Sequence, residues 1–80
     1  MEIQRTVYMT KGKKDRWYDL CENSQGFNVQ RNGYTLWGRL SKDGAKETFN
    51  HCVRDDVELR GWAIEEDVVR LSYDASTCWG

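Results

Sequence analysis

The sequence predicts a small α+β domain: a β-rich antiparallel meander with one short helix. Three observations lead there. Residues 2–40 alternate between apolar and polar side chains and are cut by turn residues, the period-2 pattern of half-buried strands. Asn32-Gly33 is a strong hairpin signal, because both residue types accept the positive φ of a type I′ turn. From Ala45 to Val57 the apolar residues fall at 45, 49, 52, 53 and 57, a spacing that suits one face of a helix. The same stretch also reads as a strand with Phe49, His51 and Val53 on one side, and Asp43, Ala45, Lys46 and Glu47 favour the helix.

The elements follow in chain order. Residues 2–10 place Ile3, Arg5, Val7 and Met9 on one side and Gln4, Thr6, Tyr8 and Thr10 on the other. Thr, Val and Tyr favour a pleated surface. Lys11-Gly12-Lys13-Lys14-Asp15 breaks this strand as a charged loop. Arg16 to Glu22 reads as a second strand, with Trp17, Asp19 and Cys21 opposite Tyr18 and Leu20. A turn at Asn23-Ser24-Gln25-Gly26 leads to Phe27–Arg31, and Tyr34–Leu40 returns after Asn32-Gly33. Ser41-Lys42-Asp43-Gly44 reads as a turn, with Asp43 as the helix cap. Arg60-Gly61 ends the helix. Val68 to Tyr73 is β-branched and reads as the closing strand, and residues 74–80 as a flexible tail.

Size and composition bound the function. Eighty residues with seven dispersed glycines and no proline give one domain, residues 1–80, without linker or repeat. The ten aromatics, four of them Trp, are expected to supply much of the core. No run of about 20 apolar residues is present, so no membrane span is expected. The start lacks the basic and apolar pattern of a secretory leader. The three cysteines then read as reduced thiols in a cytoplasmic protein. A zinc site from Cys21, His51, Cys52 and Cys78 lacks the closely spaced ligand pairs that such sites use. His51 is the single histidine, and no Gly-rich phosphate loop occurs. The reading is therefore non-enzymatic, with no catalytic residue, metal or cofactor.

Charge is uneven along the chain. Residues 1–46 carry nine basic and five acidic side chains, and residues 47–80 carry three and eight. A cationic face beside aromatic rings attracts phosphates and lets bases stack. The first expectation is thus a nucleic-acid-binding module (DNA or RNA), in which Lys11, Lys13, Lys14, Arg16, Arg39 and Lys42 meet phosphates and Trp37 offers a stacking surface. The alternative is a protein-interaction module or small regulator of bacterial or phage type. It would act through its acidic half, Asp55, Asp56, Glu58, Glu65, Glu66 and Asp67, or through an exposed Trp. The same charge separation would also permit a homo-oligomer that joins opposite faces.

Tyr34-Thr35-Leu36-Trp37-Gly38-Arg39-Leu40 followed by Gly44 resembles the WGR module, which occurs in DNA-dependent poly(ADP-ribose) polymerases and in bacterial proteins. Trp17-Tyr18, Phe49 and Gly61-Trp62 extend the resemblance over roughly residues 7–62. The chain departs from the family's pattern at Ser41, in its short segment from Phe49 to Gly61, and at the acidic Asp55, Asp56 and Glu58. The resemblance implies a sheet with one helix, and contact with nucleic-acid ends or phosphates through Trp37 and Arg39. Gly61-Trp62 ahead of Val68 also resembles the end of an SH3-like small β-barrel, which would imply a peptide-binding module.

Overall fold

A computed structural model describes residues 2–70. The expected flexible tail, 74–80, and the end of the expected last strand lie outside them. Four strands come first: β1 (Glu2–Lys11), β2 (Lys14–Asn23), β3 (Gly26–Arg31) and β4 (Tyr34–Leu40). The helix α1 (Lys42–Leu59) and a last strand, β5 (Ala63–Val69), follow. The five strands form one sheet in the order β4-β3-β2-β1-β5, antiparallel at every pairing. The meander and the single helix are as the sequence predicts. Among the described residues the sheet is open, with β4 and β5 as its edges, so the SH3-like alternative gains no support from it.

The turns are set by a few residues. Asn32 and Gly33 have φ of 52° and 85°, the left-handed pair that a type I′ turn needs. Asn32 also ties this turn to β2. Its backbone N–H donates to the Trp17 carbonyl at 2.9 Å, and its Oδ1 accepts from the Trp17 N–H at 3.0 Å. The first hairpin is tighter than the charged loop expected: Lys11 pairs with Lys14, which leaves only Gly12 and Lys13 to turn.

Helix α1 begins earlier than its apolar pattern suggests. Ser41 is the N-cap instead of Asp43, and its Oγ accepts from the Gly44 N–H at 3.1 Å. This satisfies one of the backbone donors orphaned at a helix start. The buried stripe runs through Ala45, Phe49, Val53 and Asp56. It lies against Val7, Met9, Tyr18, Leu20 and Val29, and Trp62 completes the core. The expected contribution of the tryptophans is smaller than the sequence suggests, because among the described residues only Trp62 is buried in the core.

The last strand lies several residues ahead of its expected place. Ala63 to Asp67 contains three consecutive acids and carries no hydrophobic alternation. It pairs because it is an edge, where exposed charged side chains are tolerated and discourage further strand addition.

Two inward-facing arginines, Arg5 fully and Arg16 partly buried, bridge the halves of the sequence. Arg5, only 1% exposed, forms a two-pronged pair with Asp67 on β5, with Nε to Oδ1 at 3.0 Å and Nη2 to Oδ2 at 2.6 Å. Its guanidinium also lies 5.6 Å from the Phe49 ring centroid. Asp56, 2% exposed, accepts from Tyr18 Oη at 2.7 Å, from Arg16 Nη1 at 2.8 Å and from Arg60 Nη1 at 3.4 Å. Arg16 in turn stacks on Trp62, 4.3 Å from its centroid.

Removing the buried acceptor leaves these donors without a partner, a change that costs about 3 kcal/mol. Asp56→Ala is therefore expected to lower the unfolding free energy by that order in a urea titration. Burial, and then the Asp56 hydrogen bond, hold the Tyr18 hydroxyl above its ordinary pKa of 10.0. A raised folded value favours the neutral phenol, so this contribution is whole below pH 10 and fades as pH climbs through the folded value. Unfolding midpoints taken above pH 10 should fall less steeply for Tyr18→Phe than for the unaltered chain.

Candidate functional site

Strand β4 is where local sequence and exposure diverge most. Strict alternation would send Leu36 and Trp37 to opposite faces. The β3–β4 register shifts twice, between Phe27 and Val29 and between Val29 and Gln30. With the extra residue, Leu36 packs at the rim of the core, and Trp37 lines a groove between β4 and α1. A second irregularity follows: Arg39 has φ of 57°, a left-handed conformation rare for a residue with a side chain. The Gly38 beside it does not carry that positive φ, contrary to what its small size suggests. Arg39 Nε donates to Gln25 Oε1 at 3.3 Å.

The groove has a volume of about 400 Å³, lined by Trp37, Gly44, Glu47, Thr48, His51 and Cys52. It runs on into a smaller hollow of about 190 Å³ whose wall includes Leu36, Arg31, Asp55 and Arg60. The indole of Trp37 is 47% exposed, so one part rests on the protein and the rest faces solvent. The walls carry both signs of charge. On the helix side, His51 Nε2 sits 3.2 Å from Asp55 Oδ2, one turn along α1. Tyr34, the first residue of β4, is largely exposed.

Cys52 borders the same groove. Burial, and then the charges of Asp56 and Asp55, raise its thiol pKa. The thiol is thus held protonated at neutral pH, which opposes nucleophilic use. His51 is turned to Asp55. Cys21 is on the other face of the sheet, with its thiol pushed up to about 11 by burial and then by Asp19. Cys21, His51 and Cys52 do not meet. Among the described residues, no group of three or more His, Cys, Asp or Glu is placed to hold a metal ion.

The structure divides the expected cationic set. Lys11, Lys13 and Lys14 stand exposed at the β1–β2 hairpin. Gly61, next to the half-exposed Arg60, lies beside the Lys11 side chain. Arg16 points inward to Asp56 and Trp62. Arg39 and Lys42 occupy the other end of the sheet, beside the β2–β3 turn. The length of β2 separates the two ends by about 30 Å. Of the expected acidic set, Asp56 is buried and Asp67 is tied to Arg5, whereas Glu58, Glu65 and Glu66 are exposed. Asp55 is partly covered and faces His51.

No family model, curated protein or solved structure matches this chain. Among the described residues, no helix is long and apolar enough to cross a membrane. The groove beside Trp37 escaped the sequence reading as a place, because the residues that form it come from a strand edge and a helix flank. The signal available was the run Thr48–Cys52 on the helix flank opposite an aromatic at mid-strand.

Two measurements check this geometry. Alkylation of Cys52 at pH 8 should be slower in the folded chain than in urea, with the rate still rising above pH 9. Arg39→Gly should raise stability by about 1 kcal/mol, since glycine takes the left-handed conformation without the Cβ clash; a thermal melt reads the change.

Proposed function

We propose that this chain is a non-enzymatic protein-interaction module that holds an extended segment of a partner protein in the groove between β4 and α1. The observation behind this reading is the half-exposed Trp37 on an edge strand, beside a groove lined by Gly44, Glu47, Thr48, His51 and Cys52 that runs on to the charged Arg31, Asp55 and Arg60. Exposed Trp side chains in such settings supply much of the binding energy at interfaces. Glu47 and Asp55 in the walls disfavour a polyanion there, while Arg31, Arg60 and His51 give a peptide both donors and counter-charges.

The test is selection of peptides from a displayed library against the folded chain, followed by titration of the best binder. Trp37→Ala is expected to weaken that binder by about 30-fold, the effect of losing roughly 2 kcal/mol at a hot spot, with the melting temperature kept. Equal binding by Trp37→Ala would remove the reading.

A second reading rests on a different observation, the exposed Lys11, Lys13 and Lys14 gathered at one hairpin beside Arg60. These four cations support binding of a nucleic-acid backbone at that end of the molecule. Arg39 and Lys42 are too distant to serve the same short contact. Anisotropy of a labelled single-stranded oligonucleotide between 50 and 200 mM salt discriminates the two. A steep fall that Lys13→Glu with Lys14→Glu abolishes favours this second reading, and salt-insensitive or absent binding excludes it.

A further inference from the structure

The two inward-facing arginines are held in the same way. Arg5 is gripped by Asp67 and lies over the Phe49 ring. Arg16 is gripped by Asp56 and lies over the Trp62 ring. A carboxylate neutralises the guanidinium, while a ring face takes its flat, weakly hydrated surface. The outside of the molecule brings the same two elements together at one place, near the β1–β2 hairpin.

Strand alternation builds that place. Val7 and Met9 belong to the core under α1, so Tyr8 stands on the opposite face of the sheet. Its partner across the strands is Trp17, and two rings so paired share one aromatic surface. Thr10 and Asp15 are the next cross-strand pair on that face. On the other flank of β1, Tyr8 pairs with Glu66 and Met9 with Ile64, which leaves Glu65 as the extra residue of a bulge. Bulges re-aim a side chain, and Glu65 borders the same hollow as Tyr8, Asp15 and Trp17.

The hollow has a volume of about 290 Å³, at the small end for a ligand pocket and suited to a single side chain. Tyr8 is 39% exposed and Trp17 is half-buried. Asp15 and Glu65 are exposed, and among the described residues neither has a hydrogen-bond or ion-pair partner. Arg16 also borders the hollow, but its guanidinium is turned to Asp56 and Trp62 on the helix side. Two carboxylates beside two rings repel a phosphate and attract an organic cation. We propose that this hollow takes an arginine side chain of a partner polypeptide, its guanidinium on the Tyr8–Trp17 surface and paired with the carboxylates of Asp15 and Glu65. The hollow lies on the other side of the sheet from the Trp37 groove, so the inference is independent of the proposed function.

The test titrates the isotope-labelled full chain with the capped tripeptide acetyl-Gly-Arg-Gly-amide and follows the NMR spectrum. The Trp17 indole N–H and the Tyr8 amide should move and saturate with a Kd on the order of 1 mM, the scale of one side-chain contact, while the Trp37 indole N–H stays in place. A citrulline peptide, neutral but of the same shape, should bind about tenfold more weakly, and a lysine peptide about threefold, because an ammonium is more strongly hydrated and lacks the planar fork. Trp17→Ala, and separately Asp15→Asn combined with Glu65→Gln, should each weaken the arginine peptide about tenfold. An arginine titration that moves nothing at Trp17, or a citrulline peptide that binds as well, overturns the proposal. Equal binding of the lysine peptide overturns the assignment to arginine. Where Trp17→Ala unfolds, the double carboxylate variant, altered only at exposed positions, decides, and unchanged affinity in it refutes the site.

Discussion

The buried carboxylate of Asp56 is the constraint on which the helix side of this molecule depends. An ionised group so far from water must be met by donors, or it opposes folding. Its donors come from β2, through Arg16 and Tyr18, and from the helix end, through Arg60. The Asp56 backbone carbonyl also accepts from the N–H groups of Arg60 and Trp62. One residue thus fixes the tilt of α1 against the sheet, ends the helix, and starts the return of the chain towards β5. Trp62 is set down on Arg16 by the same turn, so the indole and the ion pair exclude water from each other.

The charge asymmetry of the sequence acquires a different meaning in this light. Cations from the first half of the chain and anions from the second half meet inside the molecule, as Arg5 with Asp67 and Arg16 with Asp56. The pairs tie β1 to β5 and β2 to α1, contacts between residues 62 and 40 positions apart. What remains outside is a lysine hairpin at one end, Arg39 and Lys42 at the other, and an acidic edge on β5. Linear charge blocks become surface patches only when folding leaves their members exposed side by side, and here several of them hold the fold together.

Both sheet edges carry features that resist casual strand addition. Strand β5 presents acids, and β4 is broken by two register shifts and the left-handed Arg39. Bulges and charges of this kind keep edges from aggregating. The β4 irregularities have a second effect, since they turn Trp37 towards the helix flank and leave its indole half in solvent. On this side the exposed surface is therefore a side-chain groove, and the irregular β4 edge is poorly suited to backbone pairing.

Local chemistry was enough to determine the four-strand meander and the Asn32-Gly33 turn, because alternation and positive-φ residues act over a few residues each. It favoured a helix at 45–57 but left a strand open there, and the packing against the sheet decided it. The facing of Val7, Met9, Tyr18 and Leu20 was legible for the same reason. The start of α1 at Ser41 was locally encoded too, but the serine competed with Asp43 for the same role. Tertiary structure alone decided the rest. Arg16 and Asp56 look like surface charges until the strand and helix bring them within 2.8 Å. Trp37 is singled out by the sequence as a surface ring, but the groove it lines exists only once the β4 irregularity and the flank of α1 come together. Sequence neighbours govern which element forms, whereas the fate of a charge or a ring depends on what arrives from distant parts of the chain, and no short-range pattern records that arrival.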